Sequence, residues 1–252
     1  MKRLSLRLFA AAVVSVAGLS ACGSDDATVV VAPSPPPAAT TATFEIRLVN
    51  LTAGQSLSPL VAIAHNDGYR LFAIGEAATV GLERVAEGGA TAGLIAEASD
   101  SRSVFGTAVA SGGLPPGAGN SATVTLVVPL DGLASFRLSL ASMLGNTNDG
   151  LALLNAQSIG TLAVGQSVQA DLLSYDAGTE LNSESADTVP GSATAGSGGR
   201  REGFSPVRDD VVGTVHLHPG VVSRDDDLAT SALTHVQRWD NPVALVSIRR
   251  TQ

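Results

Sequence analysis

"TFEIRLVN", residues 43–50, alternates apolar and polar side chains, so that Phe44, Ile46 and Leu48 fall on one face. A period of two marks a strand that is half-buried against a core. Seven further stretches are comparably short and rich in valine, leucine and isoleucine: "PLVAIAH" (59–65), "YRLFAIG" (69–75), "ATVTLVVP" (122–129), "SFRLSLASML" (135–144), "SVQADLLSY" (167–175), "VVGTVHLHP" (211–219) and "PVALVSIRR" (242–250). Gly, Pro, Asn and Asp punctuate the gaps between them. The exception is "AATVGLERVAEGGATAGLIAEAS" (77–99), whose alanines, leucines and glutamates predict one or two short helices broken at Gly88 and Gly89. Spaced strands with one helical insertion predict an all-β fold, an antiparallel eight-stranded β-sandwich with a short helical insertion.

Outward from that domain, the amino-terminal residues carry an address. "MKRLSLR" is a basic leader, and the apolar run Leu8–Ala21 is shorter than the ~20 residues a membrane-spanning helix needs. Residues 1–21 therefore predict a signal peptide. It ends in "LSAC" (19–22), which resembles a bacterial lipobox, with cleavage before Cys22 and lipidation of its thiol. The alternative is an ordinary cleavage site with a cysteine nearby. Gly23 in place of aspartate implies, on that resemblance, sorting to the outer membrane of a Gram-negative cell envelope. Two or three acyl chains on one residue form a stable membrane anchor. Residues 22–42 are a Pro/Ala/Thr/Ser-rich linker that an extended conformation would stretch to roughly 50 Å. Residues 43–252 are left for one large β domain.

Composition excludes several chemistries. Lys2 is the only lysine and Cys22 the only cysteine. Past the leader there is no lysine for a P-loop, a Schiff base or a general base, and no pair of thiols for a disulfide. Without Lys2, Arg3 and Arg7, 12 arginines face 23 acids, a net charge of −11. Such a chain repels nucleic acid and anionic surfaces and attracts cations. No GxSxG elbow is present. A glycosidase-type acid pair is disfavoured by the scarcity of aromatics for sugar stacking, and Trp239 reads as a packing residue.

The acids themselves are the strongest local signal. In "LLSYDAGTELNSESAD" (172–187) four acids follow Tyr175, and no basic residue answers them before Arg200. Asp176 and Glu180 lie four apart across a turn permitted by Ala177 and Gly178. "NTNDG" (146–150) offers Asn146, Asn148 and Asp149 at the end of an apolar strand. Calcium takes six to eight oxygen ligands, commonly carboxylates and carbonyls gathered on loops. From spacing alone, a solvated acidic loop is the plainer alternative.

The quoted pieces "FEIRLVNLTAGQSLSPLVAIAHNDGYRLFAIGEAATVGLERVAEGG", "SLASMLGNTNDGLA", "YDAGTELNSE", "GTVHLHPGV" and "RWDNPVALVSIRR" occur in an order and spacing that resemble the spondin amino-terminal domain. That resemblance covers residues 43–250, with "DAGTE" and "NDG" its most specific pieces. It implies an eight-stranded antiparallel β-sandwich with a calcium ion at one end. Carried over by motif, the metal ligands fall on Asp149, Asp176 and Glu180. Glu180 departs from the aspartate of the animal domains, whose cysteines and following repeats are also absent here.

Three other features compete. His216 and His218 in "HLHPG" are two apart on a strand and share a face, which suits a zinc or copper ion. Catalytic zinc needs a third protein ligand, and nothing local supplies one. The segment 187–206 reads as a mobile low-complexity loop. "RDDDL" (224–228) reads as the start of a helix over the following residues. The expectation is therefore a lipid-anchored cell-envelope protein displaying a calcium-binding module. It is not an enzyme, it binds no nucleic acid, and its extracellular or periplasmic partner is unknown. An envelope metalloenzyme using His216 and His218 is the alternative.

Overall fold

The computed structural model describes residues 38–252, and Ala39–Gln252 form one compact unit. The leader, Cys22 and the linker as far as residue 37 lie outside the described residues. Nine strands are present: β1 (Thr41–Asn50), β2 (Val61–His65), β3 (Val104–Val109), β4 (Ser121–Pro129), β5 (Arg137–Met143), β6 (Gly150–Ser158), β7 (Ser167–Asp176), β8 (His216–Leu217) and β9 (Ala244–Arg250). Helices α1 (Val80–Gly88) and α2 (Ala92–Ser99) stand between β2 and β3.

All pairings are antiparallel, in the order β3-β2-β5-β6-β7-β9-β1-β4, with β8 added beside β7. β7 serves two partners in turn. Its first half, Ser167–Leu172, pairs with β9, and its second, Leu173–Asp176, pairs with β6. The sheet curls until its two ends almost meet. A methyl placed on Gly106 of β3 would stand 3.0 Å from the Val127 carbonyl oxygen of β4. The architecture is therefore all-β and nearly closed, with nine strands where the sequence predicts eight.

Two cores account for the hydrophobic pattern. Phe44, Ile46 and Leu48 of β1 meet Leu126, Leu138, Leu140, Val246 and Ile248 inside the curled sheet. The helices cover the outer face of β2, β5 and β6, where Leu82, Val85 and Leu94 pack on Val61, Ile63, Leu151 and Leu153. β2 is thus buried on both faces, which is why "VAIA" lacks the alternation of β1. Helix α1 opens on Thr79, whose hydroxyl accepts from the Leu82 amide, and ends at Gly89.

Some predicted elements differ. "YRLFAIG" forms turns, since β3 and β5 already occupy both edges of β2 and no third partner edge is free. "VVGTVHLHP" narrows to the two residues of β8. β3 and β6 were not anticipated. β3 carries Gly106 at its centre, a residue that weakens the sequence signal for a strand, and the closing of the sheet requires it there. The helix predicted after "RDDDL" does not form. Two 3-10 turns, Arg224–Asp226 and His235–Gln237, take its place, the second fixed by reciprocal hydrogen bonds between Thr234 and Gln237. Nor is the 187–206 segment detached. Val189 and Thr194 are buried, Arg201 binds the Pro190 and Gly191 carbonyls, and the Ser205 amide donates to Glu87.

Gly106→Val should force the β3–β4 seam apart, at an expected cost of about 1–3 kcal/mol. Urea unfolding measures this, and unchanged stability would show the two strands to be free to separate.

Candidate cation site

The site is assembled where β5 ends, β6 begins and β7 ends. After Met143 the chain turns through Asn146–Asp149, and the Thr147 hydroxyl closes the turn by donating to the Leu144 carbonyl while accepting from the Gly150 amide. Gly150 pairs with Asp176, so Asp149 and Asp176 arrive side by side at one end of the sheet. Both are fully buried.

The turn after β7 then wraps around Asp149. Gly178 has φ +71° and lies against Thr214, where a β-carbon would come within 2.4 Å of the Thr214 nitrogen, so only glycine fits. Its amide donates to Asp176 Oδ1 at 2.8 Å. The next two residues point their donors at a single oxygen, Asp149 Oδ2: the Thr179 amide (2.7 Å), the Thr179 hydroxyl (3.1 Å) and the Glu180 amide (3.1 Å). The other oxygen, Asp149 Oδ1, is buried with no hydrogen-bond partner. Asp176 Oδ2 accepts from Asn182 at 2.6 Å.

Electrostatics follow from this packing. Burial first, and the charge of Asp176 second, raise the Asp149 carboxyl well above the ordinary carboxylate range, against the lowering pull of its three hydrogen bonds. Burial, then the neighbouring Glu87, push Glu180 up to about 8, with smaller contributions from Asp149 and Asp209. Among its charged neighbours, Glu180 is thus coupled chiefly to Glu87. Its Oε2 lies 3.5 Å from the Asn148 amide nitrogen, which binds Thr188 more closely at 2.7 Å. Among the described residues, no group of three or more His, Cys, Asp or Glu side chains stands ready to hold a metal ion. Asp149 and Asp176 are brought together, and Glu180 is adjacent to Asp149 alone.

The neighbouring acids have separate duties. Glu184, at φ +54°, is buried and accepts from the Val222 and Ser223 amides and from the Ser231 hydroxyl, tying two loops together. Asp187 accepts from the Arg200 amide. Asn146 is spent on the Gly54 carbonyl and the Ala193 amide, away from the acids. Glu87 of α1 is a residue that sequence reasoning missed. It is fully buried, its Oε2 accepts from Ser205, and its Oε1 has no partner.

The Spondin_N family model matches residues 50–195. The chain belongs to the Spondin_N family. No curated protein matches it. The Spondin_N match takes in the Asp149 turn and the whole Asp176–Glu180 turn. Membership points to a binding or adhesion-type module, and such domains are typically non-enzymatic.

His216 and His218 lie beyond the Spondin_N match but border the same acids. His216 shares a hydrogen bond with the Thr214 carbonyl through Nδ1, and its Nε2 stands 3.7 Å from Asp176 Oδ2. His218 is buried against the Trp239 edge, and burial holds it well below the usual imidazole range. Its Nδ1 accepts from the Gly220 amide, which puts the proton of the neutral ring on Nε2. That nitrogen then has no lone pair for a metal. The remaining histidines are engaged elsewhere, His65 with Ser139 and His235 with Asp225.

Because the folded-state Glu180 carboxyl titrates at about 8 rather than 4.5, the native protein holds more protons than the unfolded chain between those values. In chelator, stability should be highest near pH 5 and fall as pH rises toward 8. Melting curves across that window check this, and Glu180→Gln should flatten the decline.

Proposed function

We propose that the protein is a lipid-anchored cell-envelope component displaying a calcium-binding Spondin_N domain as a binding or adhesion module. One observation carries the calcium reading. The bare, buried Oδ1 of Asp149 faces no donor while the same carboxylate takes three donors on Oδ2, next to a second buried carboxylate, Asp176. Such an arrangement is costly unless a proton or a cation offsets it. The donors are all hard oxygens, which suits calcium over a softer ion. Asp149 and Asp176 are the pair that would hold it, and Glu180 is the third carboxylate of the set expected from the sequence. Carbonyls and water complete the six to eight oxygens calcium takes.

The ion's part is structural. It offsets repulsion between the ends of β6 and β7 and so stiffens the loops beyond them. Binding only to the folded state adds RT ln(1 + [L]/Kd), about 2.7 kcal/mol at a hundredfold excess over Kd. Calcium should raise the melting temperature, and magnesium should do so less, since it demands a tight octahedral shell. Asp176→Asn should remove most of that rise and leave the calcium-free protein no less stable. Identical melting in calcium and chelator would overturn the reading.

The anchor rests on "LSAC" at Cys22, following a basic and apolar leader. The acyl chains would hold the domain at the outer membrane of a Gram-negative envelope. Cys22→Ser should release the protein from the membrane fraction or leave uncut precursor, read by fractionation with labelled palmitate. Palmitate still entering the variant would exclude Cys22 as the acceptor.

A further inference from the structure

Ser139 stands opposite an irregularity in the sheet. Leu138 pairs with Gln157 and Leu140 with Leu154, so Asn155 and Ala156 bulge from β6 against Ser139. Ala156 takes φ +57°, a left-handed conformation that an alanine keeps only where its surroundings impose it. The Ser139 hydroxyl supplies one such contact, accepting from the Ala156 amide at 3.0 Å. Beside it, Asn155 reaches across to the 69–75 turn. Its Nδ2 donates to the Phe72 carbonyl at 3.0 Å, and its Oδ1 accepts from the Leu71 amide at 3.4 Å. Asn155 is itself exposed, yet the turn it pins carries buried Leu71 into the outer core and donates from the Gly75 amide to Val215.

The Ser139 hydroxyl has one proton and two acceptors within reach, His65 Nε2 at 2.8 Å and Asn155 Oδ1 at 3.1 Å. The other side of the imidazole decides between them. His65 Nδ1 lies 2.8 Å from the Asn66 carbonyl, which can only accept, so Nδ1 carries the proton of the neutral ring and Nε2 offers a lone pair. In that state the serine proton goes to His65. A second proton on the ring turns Nε2 into a donor. The hydroxyl then accepts from Nε2 and turns its own proton to Asn155. The two arrangements differ by a rotation about the serine Cβ–Oγ bond, and each leaves the ring and the hydroxyl fully partnered.

His65 and Ser139 are both completely buried. Burial holds the imidazole below its usual range, the Asn66 carbonyl opposes this, Arg137 lowers it further and Asp67 raises it. Arg137 of β5 and Asp67 of the turn after β2 are paired with each other. Tyr69 meets the ring edge-on at 5.1 Å, and Glu97 of α2 bears on Tyr69. On β3 the residue facing His65 is Val104, and β6 contributes the uncharged Asn155 and Ala156 to the cluster. Protonation of the ring therefore requires acid.

We propose that the His65–Ser139–Asn155 chain is a proton-operated latch on the 69–75 turn. A proton taken from solvent onto His65 Nε2 reverses the Ser139 hydroxyl toward Asn155 Oδ1. That oxygen is drawn away from the Leu71 amide, the longest bond of the set. One N–H bond forms, and the serine keeps its proton throughout.

The test is an NMR titration of the full chain at constant calcium, from about pH 7.5 to about pH 4.5, which brackets the ordinary imidazole value. At the upper end the His65 ring nitrogens should show the Nδ1–H tautomer. On acidification Nε2 should protonate, and the Leu71 amide should shift with the same midpoint, in the direction of a lost hydrogen bond. Asn155→Ala should move the His65 titration to lower pH, because the reversed hydroxyl then has no acceptor. The variant alters an exposed side chain, and the wild-type titration decides the matter even if the variant fails to fold. An Nε2–H tautomer at neutral pH, a ring still neutral at the acid end, or a Leu71 amide that ignores the His65 midpoint would each overturn the latch. So would a His65 midpoint unchanged in Asn155→Ala.

Discussion

Three donors converge on one oxygen of Asp149, and most of this end of the molecule depends on that arrangement. They come from two consecutive residues of the turn after β7, so the turn can close only if Asp149 is in place at the start of β6. Asp149 is in place because Gly150 is in register with Asp176. Strand pairing, turn shape and acid placement are therefore one constraint. A register slip of one residue would turn every side chain of β6 to the opposite face and carry Asp149 away from the turn that wraps it.

Around this point the acids of residues 176–187 divide into kinds. Glu184 is fully engaged by three donors, and Asp176 takes one donor on each oxygen while its charge bears on Asp149. Glu180 and the more distant Glu87 have fewer. Acids that take several donors fasten loops, whereas a buried acid with few donors holds its proton more tightly. The stretch that reads as a run of unpaired charge is better described as three acids with bound donors, Asp176, Glu184 and Asp187, interrupted by one that has few, Glu180.

Much of this was legible in the sequence and some was not. The period-two pattern of β1 locates its buried face correctly, and the glycines at 88 and 89 mark the break between helices. Asp149 and Asp176 were recognisable from "NDG" and "DAGTE", because turn residues beside strand ends are a local signal. Glu87 was not, since its role depends on α1 lying beside a loop more than 90 residues away in sequence. β3 was hidden for a similar reason. Gly106 looks like a strand breaker until the approach of β4 is known. The orphaned state of Asp149 Oδ1 is a property of packing, and composition carries no trace of it.

The two ends of the domain leave from the same place. The Thr43 amide donates to the Gln252 carbonyl, and Phe44 faces Arg250 across β1 and β9. Asp176 lies at the far end of β7, since Ser167 faces Arg249 and Leu172 faces Ala244. At about 3.3 Å per residue, the ten residues of β7 put roughly 30 Å between the termini and the acid loops. This has a mechanical consequence. A pull on the Thr41 end runs along β1, and the ladders to β4 and β9 lie perpendicular to it on both sides. Their hydrogen bonds share the load as a sheared seam instead of opening singly like a zipper. A load applied at the far loops would be carried back to the termini along these paired strands.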